Sequence, residues 1–209
     1  MLWNVFLPQT LKCLWDSITE ETWEWLHTLP RITIQKIHAG SDAKSMRVLL
    51  EEAVTIEDDN QIILFQEDDY LYLPGSESKI IEALQYAHYA TGYLHPDKFM
   101  HPSRGGNPYT PADNVSEATQ VIKTNSHFWM VTNSTTNTFA TTVGTIKEDI
   151  DVWMWGTDDG INTKDFAIFL KLREKGRALV QPLPSLATHC LKGLEAPTVG
   201  LPINSWEEI

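Results

Sequence analysis

The chain is 209 residues long and carries 28 acidic against 16 basic side chains, a formal net charge of −12. Too few cations, with no basic stripe, exclude a surface built to neutralise nucleic-acid phosphates, and no apolar run reaches the ~18 residues of a bilayer span. No Pro/Gly/Ser-rich stretch divides the sequence, so a single domain over residues 1–209 with one core is expected.

Residues 1–7 lack the basic start and apolar length of a signal peptide. The two cysteines, Cys13 and Cys190, are far apart and show no metal-ligand spacing. A soluble, cytoplasmic protein is expected, with Cys13 a buried free thiol and the state of Cys190 open. Residues 11–15 read as a strand ending at Asp16, and Thr19 with the acids behind it supplies capping chemistry for a helix whose apolar side is Trp23, Trp25, Leu26 and Leu29. Pro30 stops that helix, and 31–37 alternates as a second strand. Residues 39–45 turn into a helix over 46–54, where Met46, Leu49, Leu50 and Ala53 keep helical spacing. A strand over 62–65 then runs into Glu67, Asp68 and Asp69, and a helix follows over 76–87. This alternation predicts an α/β fold with a mostly parallel central sheet flanked by helices. Beyond Tyr89, residues 90–94 suggest another strand, and 95–98 and 102–111 a long loop of the kind that is usually functional or mobile. The segments 119–123 and 127–132 form a hairpin, and 133–140 lead into a helix capped by Thr145. An amphipathic helix over 165–175 is closed by Gly176, and 178–180 is the last strand.

The acidic run after the third strand carries the chemistry. In open α/β sheets the carboxyl ends of the strands face the ligand crevice. Alternation along a strand puts Glu67 and Asp69 on one side and Asp68 on the other. Glu67 and Asp69 therefore read as an acid-x-acid clamp of hard oxygen ligands for a divalent cation; the plain alternative is a solvated acidic turn.

Four collinear segments resemble the nucleotide-sugar glycosyltransferases of the GT-A fold. Leu14-Trp-Asp-Ser-Ile-Thr-Glu-Glu-Thr22 resembles the family's strand-end V-D-D/G-S-T-D-x-T segment. Ala39-Gly-Ser-Asp-Ala-Lys-Ser45 resembles the turn that opens a helix beneath the diphosphate. Phe65-Gln-Glu-Asp-Asp69 resembles the DxD-type motif, with Glu67 in place of the usual aspartate. Residues 163–177, followed by Pro184 and Thr188-His189, are similar to the family's E-D-x-x-L-x-x-R-x-x-x-G helix and trailing histidine. The segments Gly-Ser-Asp-Ala-Lys-Ser, Glu-Asp-Asp-Tyr-Leu, His-Pro-Asp-Lys-Phe and Asn-Ser-Thr-Thr-Asn-Thr-Phe bring the likeness nearest to a subgroup of small bacterial and viral transferases, including those that decorate chlorovirus capsids. The likeness runs from residue 11 to 206. Such folds begin with an extra apolar strand; here either residues 1–7 are that strand shortened, or the nucleotide pocket is less enclosed.

The resemblance implies a GT-A fold, a mixed and mostly parallel sheet flanked by helices, and assigns roles. Asp16 would hold the base or ribose. Ser41 and Lys44, at a helix N-terminus with free N–H groups, would hold the diphosphate, and Glu67, Asp68 and Asp97 would lie at the nucleotide sugar. Glu67, Asp69 and His189 would ligate Mn²⁺, or Mg²⁺. Asp165 would be the general base, with Lys164 where the family has an acid. Trp129, Ser134 and Thr135 would face sugar or acceptor, with Trp153 and Trp155 as further aromatic candidates. Each has a plain alternative: a helix N-terminal charge for Asp165, a turn former for Asp97, local caps for Ser134, Thr135 and Thr136, core for the tryptophans and a surface or core residue for His189.

The implied reaction moves a hexose from a nucleoside-diphosphate sugar, a uridine one foremost, to a glycan or glycoprotein hydroxyl, in the cytoplasm, the host's for a viral protein. Two alternatives stand beside it. A sugar nucleotidylyltransferase needs a Gly-rich basic loop after the first strand, which is absent. A carbohydrate-binding module would hold Ca²⁺ without turnover. A glycoside hydrolase is disfavoured, because Glu67 and Asp69 on one strand are too close for the ~5–9 Å such pairs need.

Overall fold

The computed structural model describes residues 2–7, 10–16, 19–30, 32–99, 103 and 120–197, with the backbone alone at 2–7, 10–16, 32 and 99. The 102–111 loop, apart from Ser103, and the Cys13 side chain lie outside the described residues.

Two strands open the chain, β1 (Leu2–Leu7) and β2 (Thr10–Asp16), joined as an antiparallel hairpin. Helix α1 (Glu20–His27) follows, and the Thr19 hydroxyl accepts from the Thr22 amide as its N-cap. Then come β3 (Ile32–Ile37), α2 (Asp42–Ala53), β4 (Ile62–Glu67), β5 (Tyr70–Tyr72), α3 (Ser76–Ala83) and β6 (Tyr89–Ala90), with a 3-10 turn at Pro96–Phe99. The second half holds β7 (Val121–Lys123), β8 (Phe128–Thr132), β9 (Phe139–Thr142), α4 (Val143–Gly156), α5 (Asp165–Glu174), β10 (Leu179–Leu183) and β11 (Ala187–His189).

Among the described residues the large sheet has nine strands in the order β3-β2-β1-β4-β9-β6-β10-β8-β7, and β5 pairs with β11 in a separate two-stranded sheet. The architecture is α/β, as expected, but the sheet is not mostly parallel. Only β2 with β3 and β6 with β10 pair in parallel; the other neighbours in the large sheet are antiparallel. The reason is interleaving. Strand β1 inserts between β2 and β4, β9 runs back between β4 and β6, and β8 runs back beside β10. The registers still leave β2, β3, β4, β6, β7 and β10 pointing one way, so the ends of β2, β4, β6 and β10 share one sheet edge.

Helices α2, α4 and α5 cover one face. Met46, Leu50, Trp153, Ile168, Phe169 and Leu172 pack there on Ile63, Phe65, Phe139 and Leu179. The Phe139 ring stacks on Phe65 at 4.9 Å and on Trp153 at 4.6 Å, anchoring the layer through offset aromatic contacts. Helix α3 covers the other face, where Ile80 and Ala83 meet Trp129, Ala140 and Val180. Because strand residues alternate, Ile63, Phe65 and Glu67 share the α2/α4/α5 face. Glu67 thus ends a buried apolar row. No helix among the described residues is long and apolar enough to cross a membrane.

Several expected elements differ. Helix α2 starts at Asp42 rather than 46, α3 stops at Ala83 rather than 87, and the cap of α4 is Thr142, whose hydroxyl accepts from the Thr145 amide. Residues 139–142, expected as the approach to that helix, are a strand inside the sheet.

Candidate metal centre

Glu67 ends β4, Asp69 sits in the turn that follows, and β5 then pairs with β11 so that Tyr70 stands opposite His189. The Cys190 amide donates to the Asp69 carbonyl at 2.7 Å and fixes that turn. Residues 120 positions apart are thereby brought together: one ligand atom each of Glu67, Asp69 and His189 lies within 4.8 Å of the others. Glu67 and His189 are buried, Asp69 is half-buried, and Asp68 is exposed on the far side of the turn.

The donor set fits a divalent cation. Asp69 Oδ1 is buried without a hydrogen-bond partner among the described residues, while Oδ2 lies 3.3 Å from His189 Nε2. Burial first, and then the neighbouring Asp42 and Asp69 carboxylates, push the Glu67 pKa up to about 8, against a weak opposing contact from Asn137. A carboxylate held that far from its ordinary range is one that a cation would stabilise. Two oxygens and one imidazole nitrogen suit Mn²⁺ better than Ca²⁺.

His189 is held on both sides. Its ring meets Tyr70 edge-on at 4.7 Å, and Nδ1 accepts from the Leu191 amide at 3.1 Å. These bonds assign the ring proton to Nε2, facing Asp69.

The turn over 133–138 links this cluster to Asp165. Thr136 and Asn137 both have positive φ, 49° and 59°, a strained conformation that a β-branched threonine rarely adopts. Four bonds hold it. Asp165 Oδ2 accepts from the Thr136 amide at 2.9 Å and the Thr135 amide at 3.4 Å. The Tyr70 hydroxyl donates to the Thr136 carbonyl at 2.8 Å, and Asn137 Nδ2 donates to Glu67 Oε1 at 3.4 Å. Burial raises the Asp165 pKa, opposed by bonds from the Phe166, Thr135 and Thr136 amides. Lys164 turns outward to Asp158 at 3.0 Å and Asp159 at 3.3 Å.

Other expected residues are placed differently. Two amides of the α2 N-terminus are already taken: the Lys44 amide donates to Ser41 Oγ and the Ala43 amide to the Ile161 carbonyl, while Ser41 Oγ donates to the Gly160 carbonyl. Lys44 itself is exposed. Asp42 is the residue of that helix that matters here. Its Oδ2 accepts from the Thr163 amide at 2.7 Å, Oδ1 is buried without a partner among the described residues, and its charge reaches both Glu67 and Asp165. Trp129 is no sugar platform, because β8 turns it into the α3 layer, where it is fully buried; Trp153 is likewise core, and Trp155 is exposed beneath the Lys171 ammonium. Ser134 is half-buried and Thr135 buried. Asp97 lies 2.8 Å from His95 Nδ1, and the His95 ring meets Tyr93, which in turn reaches His189. Asp16 closes β2, with its side chain outside the described residues. Strand β1 between β2 and β4 sets the Asp16 and Glu67 strands about 10 Å apart. Sequence reasoning missed Asp42, Tyr70, His95 and Asn137; the Thr-Asn pair was the readable signal, since asparagine tolerates positive φ.

No protein-family model matches the chain, and neither a curated protein nor a solved structure does.

Proposed function

We propose that the chain is a metal-dependent glycosyltransferase of GT-A type, a single cytoplasmic catalytic domain that moves a hexose from a nucleoside-diphosphate sugar, a uridine one foremost, to a hydroxyl of a glycan or glycoprotein. The observation that carries this reading is the convergence of Glu67 and Asp69 with His189, some 120 residues later, so that one ligand atom of each lies within 4.8 Å of the others.

Glu67, Asp69 and His189 would hold Mn²⁺ or Mg²⁺, whose charge would stabilise the diphosphate leaving group. Asp165 is the base of this reading. The Thr135 and Thr136 amides orient its carboxylate through Oδ2, and its raised pKa makes it a stronger base than a solvated aspartate for the proton of the acceptor hydroxyl. Attack from the face opposite the leaving group inverts the anomeric centre.

Incubation with UDP- and GDP-hexoses, with and without Mn²⁺, tests the reading by release of the nucleoside diphosphate. Release that requires the metal and is lost in Asp69→Ala is expected. Metal binding without any nucleotide turnover would favour the carbohydrate-binding module instead.

A further inference from the structure

We infer that Tyr70 is a positioning residue with two separable parts, its ring supporting the metal ligand His189 and its hydroxyl supporting the turn that holds Asp165. The metal-binding and catalytic parts of this inference rest on the function proposed above; the contacts of Tyr70 with His189 and Thr136 stand by themselves.

Tyr70 is buried, and its place is fixed by backbone pairing with His189 between β5 and β11. The ring packs edge-on against His189 at 4.7 Å and against Tyr93 at 5.3 Å. These contacts fill the space on one side of the imidazole, so they restrict its rotation and aim Nε2 at Asp69. The hydroxyl points away from that contact and donates to the Thr136 carbonyl at 2.8 Å. The amide of the same residue donates to Asp165 at 2.9 Å. Thr136 is therefore gripped at both of its main-chain polar groups, by Tyr70 from β5 and by Asp165 from α5. A residue with φ of 49° keeps that conformation only where its surroundings enforce it. Removing the hydroxyl frees one grip while leaving the ring in place. Asp165 then loses the fixed orientation on which proton acceptance depends.

The test compares Tyr70→Phe with Tyr70→Leu in the whole chain by Mn²⁺ titration, donor kinetics and amide NMR with Mg²⁺. Tyr70→Phe should bind Mn²⁺ within about twofold of the unmodified protein and keep its donor KM. Its kcat should fall about tenfold or more, and the Thr136 amide resonance should move. Tyr70→Leu, which loses the ring as well, should weaken Mn²⁺ binding about tenfold or more. Equal loss of metal affinity in both variants, or an unmoved Thr136 resonance in Tyr70→Phe, overturns the division of roles. If the unmodified protein turns over no nucleotide sugar, the transferase reading fails by itself, and the metal affinities and the Thr136 resonance alone decide the assignment of Tyr70.

Discussion

The Leu191 amide donates to Nδ1 of His189 at 3.1 Å, and this places the ring proton on Nε2, the nitrogen that faces Asp69. An imidazole that ligates through Nε2 must carry its proton on Nδ1 instead. Two donors would then meet at Leu191, so the amide has to turn away. Titration with Mg²⁺ followed by amide NMR should therefore show the Leu191 resonance among the most strongly shifted. Movement at Glu67 and Asp69 with Leu191 unchanged would remove His189 from the ligand set.

Glu67 gives the ion-free protein a characteristic pH dependence. Its carboxyl ionises near 4.5 when unperturbed and near about 8 when folded. Between these values the folded state keeps a proton that the unfolded chain has lost. Stability therefore falls as pH rises from 4.5 to about 8 and levels off above, by an amount on the order of a few kcal/mol. In chelator, Glu67→Gln should flatten this part of the profile when denaturation midpoints at about pH 5 and about pH 8 are compared. Identical slopes in both proteins would show that Glu67 ionises normally.

Asp165→Asn keeps the size of the side chain and can still accept from Thr135 and Thr136 through its amide oxygen. It cannot take a proton. Donor binding should be preserved while transfer falls by about 10²–10⁴-fold. Undiminished turnover would leave Asp165 as the helix N-terminal charge and turn anchor that its bonds already make it.

Helices α4 and α5 touch at Gly156. A Cβ there would lie 2.1 Å from Cγ1 of Ile168, which is fully buried. Alanine favours a helix over glycine by about 1 kcal/mol, but Ile168 has no room to retreat, and overpacking of this kind costs about 1–3 kcal/mol. Gly156→Ala should be net destabilising, with Tm lower by roughly 2–4 °C per kcal/mol in a chain of this size. An unchanged Tm would mean that α5, and Asp165 with it, sits farther from α4.

The Glu67/Asp69 pair of the candidate site was legible in the sequence because its signals are local: an apolar strand, three acids, and alternation that sorts Glu67 and Asp69 from Asp68; His189, 120 residues on, entered only through the resemblance. The capped helix at Thr19 and the closure of α5 at Gly176 were legible for the same reason. The sheet order was not. Residues 139–142 are too short a run to declare a strand, and β1 gave no sign that it would insert between β2 and β4, yet those two strands decide that most pairings are antiparallel. Trp129 misled because a tryptophan reads alike as core or sugar platform until its strand's facing is known. Ser41 and Lys44 misled because only the fold brings residues 160 and 161 onto the α2 N-terminus. Asp42 lies within the segment 39–45, but its meeting with Thr163 and Glu67 depends on three elements packing together.

The most direct test of the metal-dependent nucleotide-sugar reading is calorimetric titration of UDP, then GDP, with and without Mn²⁺, repeated on Asp69→Ala. One nucleotide should bind tightly, need the metal, and lose about a hundredfold or more of its affinity in the variant. No binding of either nucleotide in the presence of Mn²⁺, or equal binding with and without it, would rule out a metal-dependent nucleotide-sugar site.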